Sequence, residues 1–294
     1  MNGSLPNRPP CTVLRCDGRP VGTYTHRPQL PEGLSPRPYL HPVRTLSGIT
    51  VTESRPADHP HHLGVGMAVP DVAGRNFWGG RTYVRGQGPT ELDNHGSQRH
   101  LGWLLRDPDG FVEELSWVAG GRQILLERRT VAVRTVSHGA DGCWALDFTT
   151  ALTNVTGETV TLGSPATNGR PGAGYGGFFW RAPRRPEPPR VFSADGGEGE
   201  AAVHGRPSDW LALAAEDWTL VFAGATGDTR ADPWFVRTGD YPGVGSALAW
   251  DRRLAIAPAD TVTRRIVTAV ADGRLDREAA ARIGAQLSDK GATV

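Results

Sequence analysis

Residues 126–136 read LERRTVAVRTV, a segment in which apolar and polar side chains alternate. A period of two residues is typical of a β-strand that has one face in a core and the other in water. Turn dipeptides lie on both sides of this segment, Gly120-Gly121 before it and Asp141-Gly142 after it. Such dipeptides favour hairpins. The sequence therefore predicts three consecutive antiparallel strands, at about residues 113–119, 124–136 and 144–152.

Segments of the same kind recur along the chain, and turn residues separate them. The 294 residues include 38 glycines and 24 prolines, which favours many turns and few long helices. We predict further strands at residues 12–15, 50–53, 64–69, 81–85, 110–118, 159–163, 210–213, 218–223, 234–237, 246–251 and 261–268.

One segment is predicted to be helical, at about residues 272–288. Leu275, Ala279, Ile283 and Leu287 would share one face of this helix. Many strands followed by one terminal helix predict an all-β protein, a large antiparallel β-sandwich. We expect an irregular N-terminal segment over residues 1–36 and a single sandwich domain over residues 37–294.

Charge and composition exclude several classes of function. The chain has 32 basic and 31 acidic residues, so no charge surplus favours nucleic acid or anionic lipid. The longest apolar run, residues 210–215, is far shorter than the roughly 20 residues of a membrane helix. The first ten residues do not resemble a signal peptide, and three cysteines cannot form a complete disulfide framework. We expect a cytoplasmic protein that binds neither nucleic acid nor membranes.

Four histidine-rich or glycine-rich segments carry the candidate chemistry, and the first is residues 58–66, DHPHHLGVG. Asp58, His59, His61 and His62 would lie at the mouth of a strand. Imidazoles beside a carboxylate suit either acid/base catalysis near neutral pH or metal binding. The alternative is a hydrated surface loop.

The second segment is residues 91–103, ELDNHGSQRHLGW, which we interpret as a polar loop. If this loop meets the first one, their side chains offer the donors of an open zinc, manganese or iron site. The spacing matches no specific metal motif, and the alternative is two unrelated loops. The expected ligands of one divalent metal ion are Asp58, His62, Glu91, His95 and His100.

The third and fourth segments suit a carbohydrate. Residues 167–181, TNGRPGAGYGGFFWR, contain five glycines that let backbone approach a ligand closely. Residues 234–246 place polar groups beside a turn, and a tryptophan follows each histidine-containing segment. Aromatic rings stack on sugar faces while polar groups bind hydroxyls. The alternatives are a glycine-rich β-bulge and a tryptophan-rich core. The expected sugar-binding residues are Trp78, Trp103, Asn168, Arg170, Arg181, Arg237, Asp240 and Tyr241.

Several of these segments together resemble a known family. They are HPHHLGVG, FWGGRTYV, DNHGSQRHLGW, TNGRPGAGYGGFFWR and DPWFVR followed by YPGVGSALAWDR. They resemble the bacterial proteins of the PmoA family, a domain of unknown function, over about residues 37–274. The name refers to a membrane-spanning methane monooxygenase subunit, so we expect it to be a transferred label. The resemblance implies a fold similar to the galactose-mutarotase supersandwich.

The leading hypothesis is a carbohydrate-active enzyme whose partner is a small-molecule sugar or glycoside. Histidine or metal-assisted acid/base chemistry would epimerise, eliminate or hydrolyse an oxidised keto-glycoside. The candidate catalytic residues are His59, His61, His62, His95, His100 and Tyr175. The alternatives are an iron-dependent oxygenase and a non-catalytic sugar-binding sandwich. No nucleotide cofactor is expected, because phosphate-loop and dinucleotide motifs are absent. Unpaired sandwich edges leave a homodimer open.

Overall fold

The computed structural model describes residues 10–137 and 142–288 of the chain. Strands dominate these residues, which confirms the prediction of an all-β protein. In chain order, strands β1 to β20 occupy Cys11–Cys16, Arg19–Thr25, Tyr39–Val43, Val65–Ala68, Asp71–Val72, Thr82–Val84, Gly88–Thr90, Ser97–Asp107, Gly110–Ala119, Arg122–Val136, Cys143–Asn154, Val160–Gly163, Gly177–Arg181, Arg190–Ser193, Trp210–Ala214, Trp218–Gly224, Trp234–Arg237, Gly243–Ala247, Leu254–Ile256 and Thr261–Asp272.

The helices of the described residues are few. Helices α1, α2 and α3 occupy Glu200–Val203, Gly227–Ala231 and Arg277–Ser288, and a single 3-10 turn lies at Glu32–Leu34. The predicted C-terminal helix is therefore present, but it begins at Arg277 rather than near residue 272. β20 continues to Asp272, and the Asp276 side chain accepts the Ala279 N–H at 2.8 Å, which caps the helix. α1 and α2 are short turns of helix that the sequence analysis did not predict.

Two large antiparallel sheets form the sandwich. One has seven strands in the order β1-β2-β3-β4-β13-β18-β17, and the other has eight in the order β14-β15-β16-β20-β11-β10-β9-β8. Two small sheets, β19-β12-β5 and β6-β7, accompany them. The two predicted hairpins are present, because β10 pairs with both β9 and β11. Asp141, of the second predicted turn, lies outside the described residues.

Alternating side chains build the main core between the two large sheets. Trp144, Leu146 and Phe148 of β11 face Trp180 and Val244 of the seven-stranded sheet in one buried cluster. The intervening residues of the eight-stranded sheet form a second cluster on its outer side, beneath Ala280, Ile283 and Leu287 of α3. The helix thus covers the outer face of this sheet, which agrees with its apolar face in the sequence.

The outer face of the seven-stranded sheet carries a third, aromatic cluster. Phe179 of β13 and Phe235 of β17 point to this face, while their neighbours Phe178 and Trp234 point into the main core. Ala68 and Trp78 complete the buried part of the outer cluster. A period of two therefore gives the same strands both a core face and a face that is free for a ligand.

Several predictions of local structure need correction. The segment 1–36 was expected to be irregular, but its described part contains β1 and β2, which form one edge of a sheet. Ser97–Asp107 forms an 11-residue edge strand and not a polar loop. Two bulges in this strand break its alternation, which hid it from a period-two pattern. Residues 50–53 and 248–251 are not in strands.

The structure also bears on the predictions about membrane helices and cysteines. No helix among the described residues is long and apolar enough to cross a membrane. The cysteines Cys11, Cys16 and Cys143 are free thiols.

Candidate functional site

A cavity of about 730 Å³ lies over the outer face of the seven-stranded sheet. Its walls come from six loops and from strands β7 and β17, so residues far apart in the chain meet there. Residues of all four candidate segments contribute to it. The lining side chains singled out in the sequence are Asp58, His59, His61, His62, Trp78, Glu91, Arg170, Tyr175, Arg237, Asp240 and Tyr241.

The floor of the cavity is aromatic. The Trp78 ring packs against Tyr175 and Phe179, with centroids 4.7 Å and 4.9 Å away. Tyr175 also meets Phe235 edge-on at 5.4 Å. Since Trp78 and Phe235 line the cavity and are themselves well packed, they present rigid apolar surface to a ligand.

The loop between β3 and β4 brings three imidazoles together on one side of the cavity. The His59 ring stacks on the His62 ring at 4.6 Å, and His61 meets both rings at less than 6 Å. His59 Nδ1 lies 2.9 Å from Asp58 Oδ2. Because a carboxylate accepts hydrogen bonds, His59 donates through Nδ1 and its Nε2 is left as the basic nitrogen.

Burial keeps two of these imidazoles neutral. Desolvation, with a smaller contribution from the nearby charge of Arg37, lowers the pKa of His61 to about 3. Desolvation also lowers the pKa of His62 far below its ordinary value. The buried Nδ1 of His62 has no hydrogen-bond partner among the described residues. His62 therefore offers a ligand an uncharged ring whose polar atoms are not committed to the protein.

Unlike the two neutral imidazoles, the Asp58 side chain is ionised. Burial raises its pKa, but the hydrogen bond from His59, a backbone hydrogen bond and the charges of His59 and Arg181 together lower it more, so the net shift is downward. Arg184 donates a second hydrogen bond, 2.7 Å long, to the same oxygen of Asp58. A carboxylate that is ionised and held from two sides fixes the orientation of His59.

Two tyrosines bring hydroxyl groups to the cavity. Burial raises the pKa of both Tyr175 and Tyr241, so each keeps its proton at neutral pH. Tyr241 packs beside His59 and His62, with ring centroids 4.9 Å and 5.1 Å away. Neither hydroxyl forms a hydrogen bond within the described part of the chain. Both are thus donors that a ligand oxygen can use.

Arginines line the rim, and most of them are paired. Arg81 binds Glu91 at 3.0 Å, Arg184 binds Asp58, and Arg237 binds Glu200 at 3.2 Å. Arg170 lines the cavity without a carboxylate partner among residues 10–137 and 142–288. Its guanidinium is therefore the rim cation that is not already neutralised by a neighbouring side chain.

Below the imidazoles lie two buried guanidinium groups. Arg37 is 4% exposed and donates to the carbonyl oxygens of Leu34, Ser35 and His61. Arg181 is fully buried, with two nitrogens on Glu53 and its centre 4.4 Å over the Tyr241 ring. Arg181, predicted to bind substrate directly, lies behind Tyr241: alternation turns it to the outer face of the sheet, where the Tyr241 ring covers it and Glu53 binds it.

Two predicted residues support the cavity from outside. His95 Nε2 bonds to the Gly80 carbonyl at 2.8 Å, which ties the second segment to the loop that carries Trp78. Asn168 bonds to Asp71 and accepts from Arg253, so it anchors the glycine-rich loop. The structure therefore corrects both roles, from contact with a ligand to positioning of loops.

His100 and Trp103 lie at a different place, in the interior of the sandwich. His100 Nδ1 is 2.5 Å from Glu113 Oε1, and Glu113 also accepts from Tyr24. The Trp103 ring packs on Tyr24 and on His26. β8 turns both side chains into the sandwich although they are three positions apart, because the bulge between His100 and Gly102 shifts the alternation between them.

The buried network around Glu113 extends across the sandwich. Arg129 donates to Tyr24, to Gln98 and twice to Glu127. Trp117 and Thr150 complete the hydrogen bonds of Glu127. This network satisfies its buried charges internally, which is the behaviour of a structural element.

The predicted metal ligands do not form one centre. Asp58, His62 and Glu91 line the cavity, but His95 and His100 are committed to other partners. Among the residues described, no group of three or more His, Cys, Asp or Glu side chains is placed to hold a metal ion. The donor set thus does not fit a metal centre, and we derive no chemical step through one.

The sequence analysis did not single out some cavity residues. Arg81, Arg184 and Phe235 line the cavity, and Arg37 lies beneath it. Arg184 belongs to the proline-rich loop RAPRRPEPP at 181–189, whose arginines were the available signal. Phe235 was visible only as part of a strand, and nothing in the pattern around Arg37 indicated a role.

A family model matches residues 11–284, and its description is "Family of unknown function (DUF6807)". The chain belongs to this family. The match starts at the first residue of β1 and ends within α3, so DUF6807 includes the N-terminal strands as well as every wall of the cavity. This confirms the expectation of a domain of unknown function. No curated protein matches the chain.

Proposed function

We propose that this protein is a carbohydrate-active enzyme that acts on an oxidised sugar or keto-glycoside by acid/base chemistry. The observation that carries the proposal is the cavity itself, where aromatic rings, uncommitted imidazoles and tyrosine hydroxyls converge. A sugar needs both surfaces, because its C–H faces stack on rings while its hydroxyl groups need hydrogen bonds. The cavity volume of about 730 Å³ is ample for a mono- or disaccharide.

The sequence resemblance supports the same assignment. In galactose-mutarotase-like enzymes, to which the PmoA resemblance points, histidine and carboxylate side chains on one sheet face handle the sugar. The cavity described here also lies on one face of a large antiparallel sheet and presents such side chains. We expect the substrate to be a soluble small molecule, handled in the cytoplasm.

His59 is the proposed general base. Its Nδ1 donates to Asp58, so the free Nε2 can accept a proton from a carbon beside a carbonyl group. As the ring becomes positive, the Asp58 carboxylate stabilises it. His61 and His62 are less suited to this role, since their lowered pKa values make them weak bases.

The two tyrosines are the proposed stabilisers of the developing enolate oxygen. Removal of the proton moves an electron pair onto the carbonyl oxygen, which becomes negative. Tyr175 and Tyr241 remain protonated and can donate hydrogen bonds to that oxygen. Reprotonation of the enolate on the other side gives epimerisation, and loss of a group from the neighbouring carbon gives elimination.

Deuterium exchange tests this proposal at the first chemical step. We would incubate a panel of glycosides carrying one ring ketone with the protein in D₂O and follow the C–H signal beside the carbonyl by NMR. Wild-type protein is expected to exchange this hydrogen faster than buffer with at least one panel member. His59→Asn is expected to lower the exchange rate by roughly 10²- to 10⁴-fold, the usual contribution of a general base.

His41→Gln is the matched control. His41 bonds to Thr52 at 3.0 Å and does not line the cavity, so this variant should exchange at the wild-type rate. Exchange that is equally fast in the His59→Asn variant would contradict the assignment of the base. Binding of the glycosides without any exchange would instead favour a non-catalytic sugar-binding protein.

A further inference from the structure

The charges around the cavity indicate the charge of the proposed sugar ligand. On the rim, three of the four arginines already bind carboxylates of the protein, and Arg170 does not within the described residues. The Asp240 side chain is the acidic group on the rim that no guanidinium contacts there. Asp240 and Arg170 are both exposed, so solvent screens both of their charges, and the balance depends on the buried charge beneath them.

Beneath the floor, the charge balance is different. Arg37 is buried and bonds only to carbonyl oxygens, so no carboxylate of the described residues neutralises it. Arg181 has one buried nitrogen, Nη1, without a hydrogen-bond partner. The other nitrogens of Arg181 bind Glu53, which balances its charge, so Arg37 is the buried guanidinium that no described carboxylate neutralises. A buried charge is screened much less than an exposed one, so Arg37 contributes a positive potential to the cavity.

The imidazoles report this potential. Burial is the main cause of the lowered pKa of His61 and His62. The charge of Arg37 adds to it at His61, and the charges of His61, His59, Arg181 and Arg37 add to it at His62. A cavity that repels positive charge in this way attracts negative charge by the same field.

We propose that the ligand is a sugar bearing an anionic substituent, a carboxylate or a phosphate, which pairs with Arg170 over the positive floor of the cavity. This inference rests on the proposed function and narrows its substrate class. Arg170 lies on the loop between β12 and β13 that also carries Tyr175, so the anion would sit beside the aromatic wall. A guanidinium suits both groups, because its paired N–H donors match their oxygen atoms.

The test compares acidic sugars with their neutral counterparts. Titration calorimetry would measure Kd for glucuronate, glucose 6-phosphate and glucose, and for galacturonate, galactose 6-phosphate and galactose. In at least one series an acidic member is expected to bind about 10-fold or more tightly than the neutral sugar, with an affinity that falls as NaCl is raised. The two acidic members distinguish a carboxylate from a phosphate as the source of the charge.

Two variants change the preference in opposite directions. Arg170→Gln should weaken binding of the acidic sugar by about 10-fold and leave the neutral sugar within about 2-fold of wild type. Asp240→Asn removes a repulsive charge and should strengthen binding of the acidic sugar. Arg190→Gln changes the net charge equally but lies on β14 beside Glu198, so it should match wild type.

Equal affinity for acidic and neutral sugars, or an Arg170→Gln variant that keeps the preference, would overturn this inference. So would the absence of binding by all six sugars. None of these three results depends on deuterium exchange, so the catalytic proposal can fail or succeed separately. An acid preference without exchange would leave an anionic-sugar binding site that has no turnover.

Discussion

Gly79 links the backbone of one loop to the position of a histidine on another. Its φ is +98°, in the left-handed region, and a Cβ there would lie 2.7 Å from the Leu34 carbonyl oxygen. The same Cβ would lie 2.8 Å from His61 Cβ. Only glycine lets the Trp78 loop approach the histidine loop this closely.

We predict that Gly79→Ala destabilises the protein and disturbs the cavity. The variant combines the cost of a left-handed side chain, about 1 kcal/mol, with a contact that forces two loops apart. The expected loss of unfolding free energy in urea is about 2–4 kcal/mol, with weaker sugar binding.

Gly74→Ala is the control for this prediction. Gly74 has a similar φ of +81°, but nothing lies within 4 Å of its Cβ position. It should lose only about 1 kcal/mol and keep normal binding. Equal losses in both variants would show that the contact with His61 does not matter.

Residue types predicted much of the site, but not which residues meet. The cluster of His59, His61 and His62 lies in the cavity, as a local run of imidazoles beside a carboxylate had indicated. His100 came from the same kind of reasoning and lies elsewhere, because it belongs to an edge strand and pairs with the buried Glu113. Arg37 affects the cavity because its charge is buried beneath it, and no sequence pattern predicts that an isolated arginine is buried.

Strand β13 has one face in the main core and the other beneath the cavity. Phe178 packs in the main core against Phe148, with ring centroids 5.4 Å apart. Phe179 points to the opposite face and meets His62 at 5.0 Å. Adjacent residues of one strand therefore contribute to different properties of the molecule.

We predict that Phe178→Leu and Phe179→Leu differ in sugar binding. Both remove part of a buried ring and should cost about 1–2 kcal/mol of unfolding free energy. Phe178→Leu should leave the Kd of the best-binding sugar within about 2-fold of wild type, whereas Phe179→Leu should weaken it at least about 5-fold. A Phe178→Leu variant with the larger binding defect would contradict this assignment of faces.

The strands that the sequence predicted well are those with an unbroken pattern. β10 ends at the predicted residue 136 and begins only two residues before the predicted start at 124, since nearly every second side chain is buried. β8 escaped prediction because two bulges shift its register and its exposed leucines, Leu101, Leu104 and Leu105, do not alternate. Hydrogen bonds with β9 stabilise β8 as a strand, although its own sequence lacks the alternating pattern.

Buried imidazoles make the whole molecule sensitive to acid. Desolvation, together with the charges of His100, Arg27 and Arg106, lowers the pKa of His26 to about 4. The pKa of His61 falls to about 3. In the unfolded chain these groups return to about 6.5, so the unfolded state binds more protons at any pH between the two values.

We predict that the unfolding free energy decreases as the pH falls from about 6.5 to 4. His26, His61 and His62 together give a slope of up to about 4 kcal/mol per pH unit, since each contributes at most about 1.4. Urea unfolding at several pH values measures this slope.

His26→Phe isolates one of these contributions. It keeps a ring beside Trp103 and removes the buried Nδ1 that has no partner in the described structure. The slope between pH 6.5 and 4 should fall by about one third. An unchanged slope would show that His26 takes up a proton without unfolding.

The alternation of β13 and β17 also bears on how the family can diversify. Their inward residues hold the sandwich together, while Phe235 and Arg237 line the cavity and Phe179 packs beneath it against Trp78 and His62. A substitution on the cavity side leaves the interior packing of the same strand in place. Ligand preference can therefore drift among relatives at little risk to folding, and members of one architecture can come to accept different sugars.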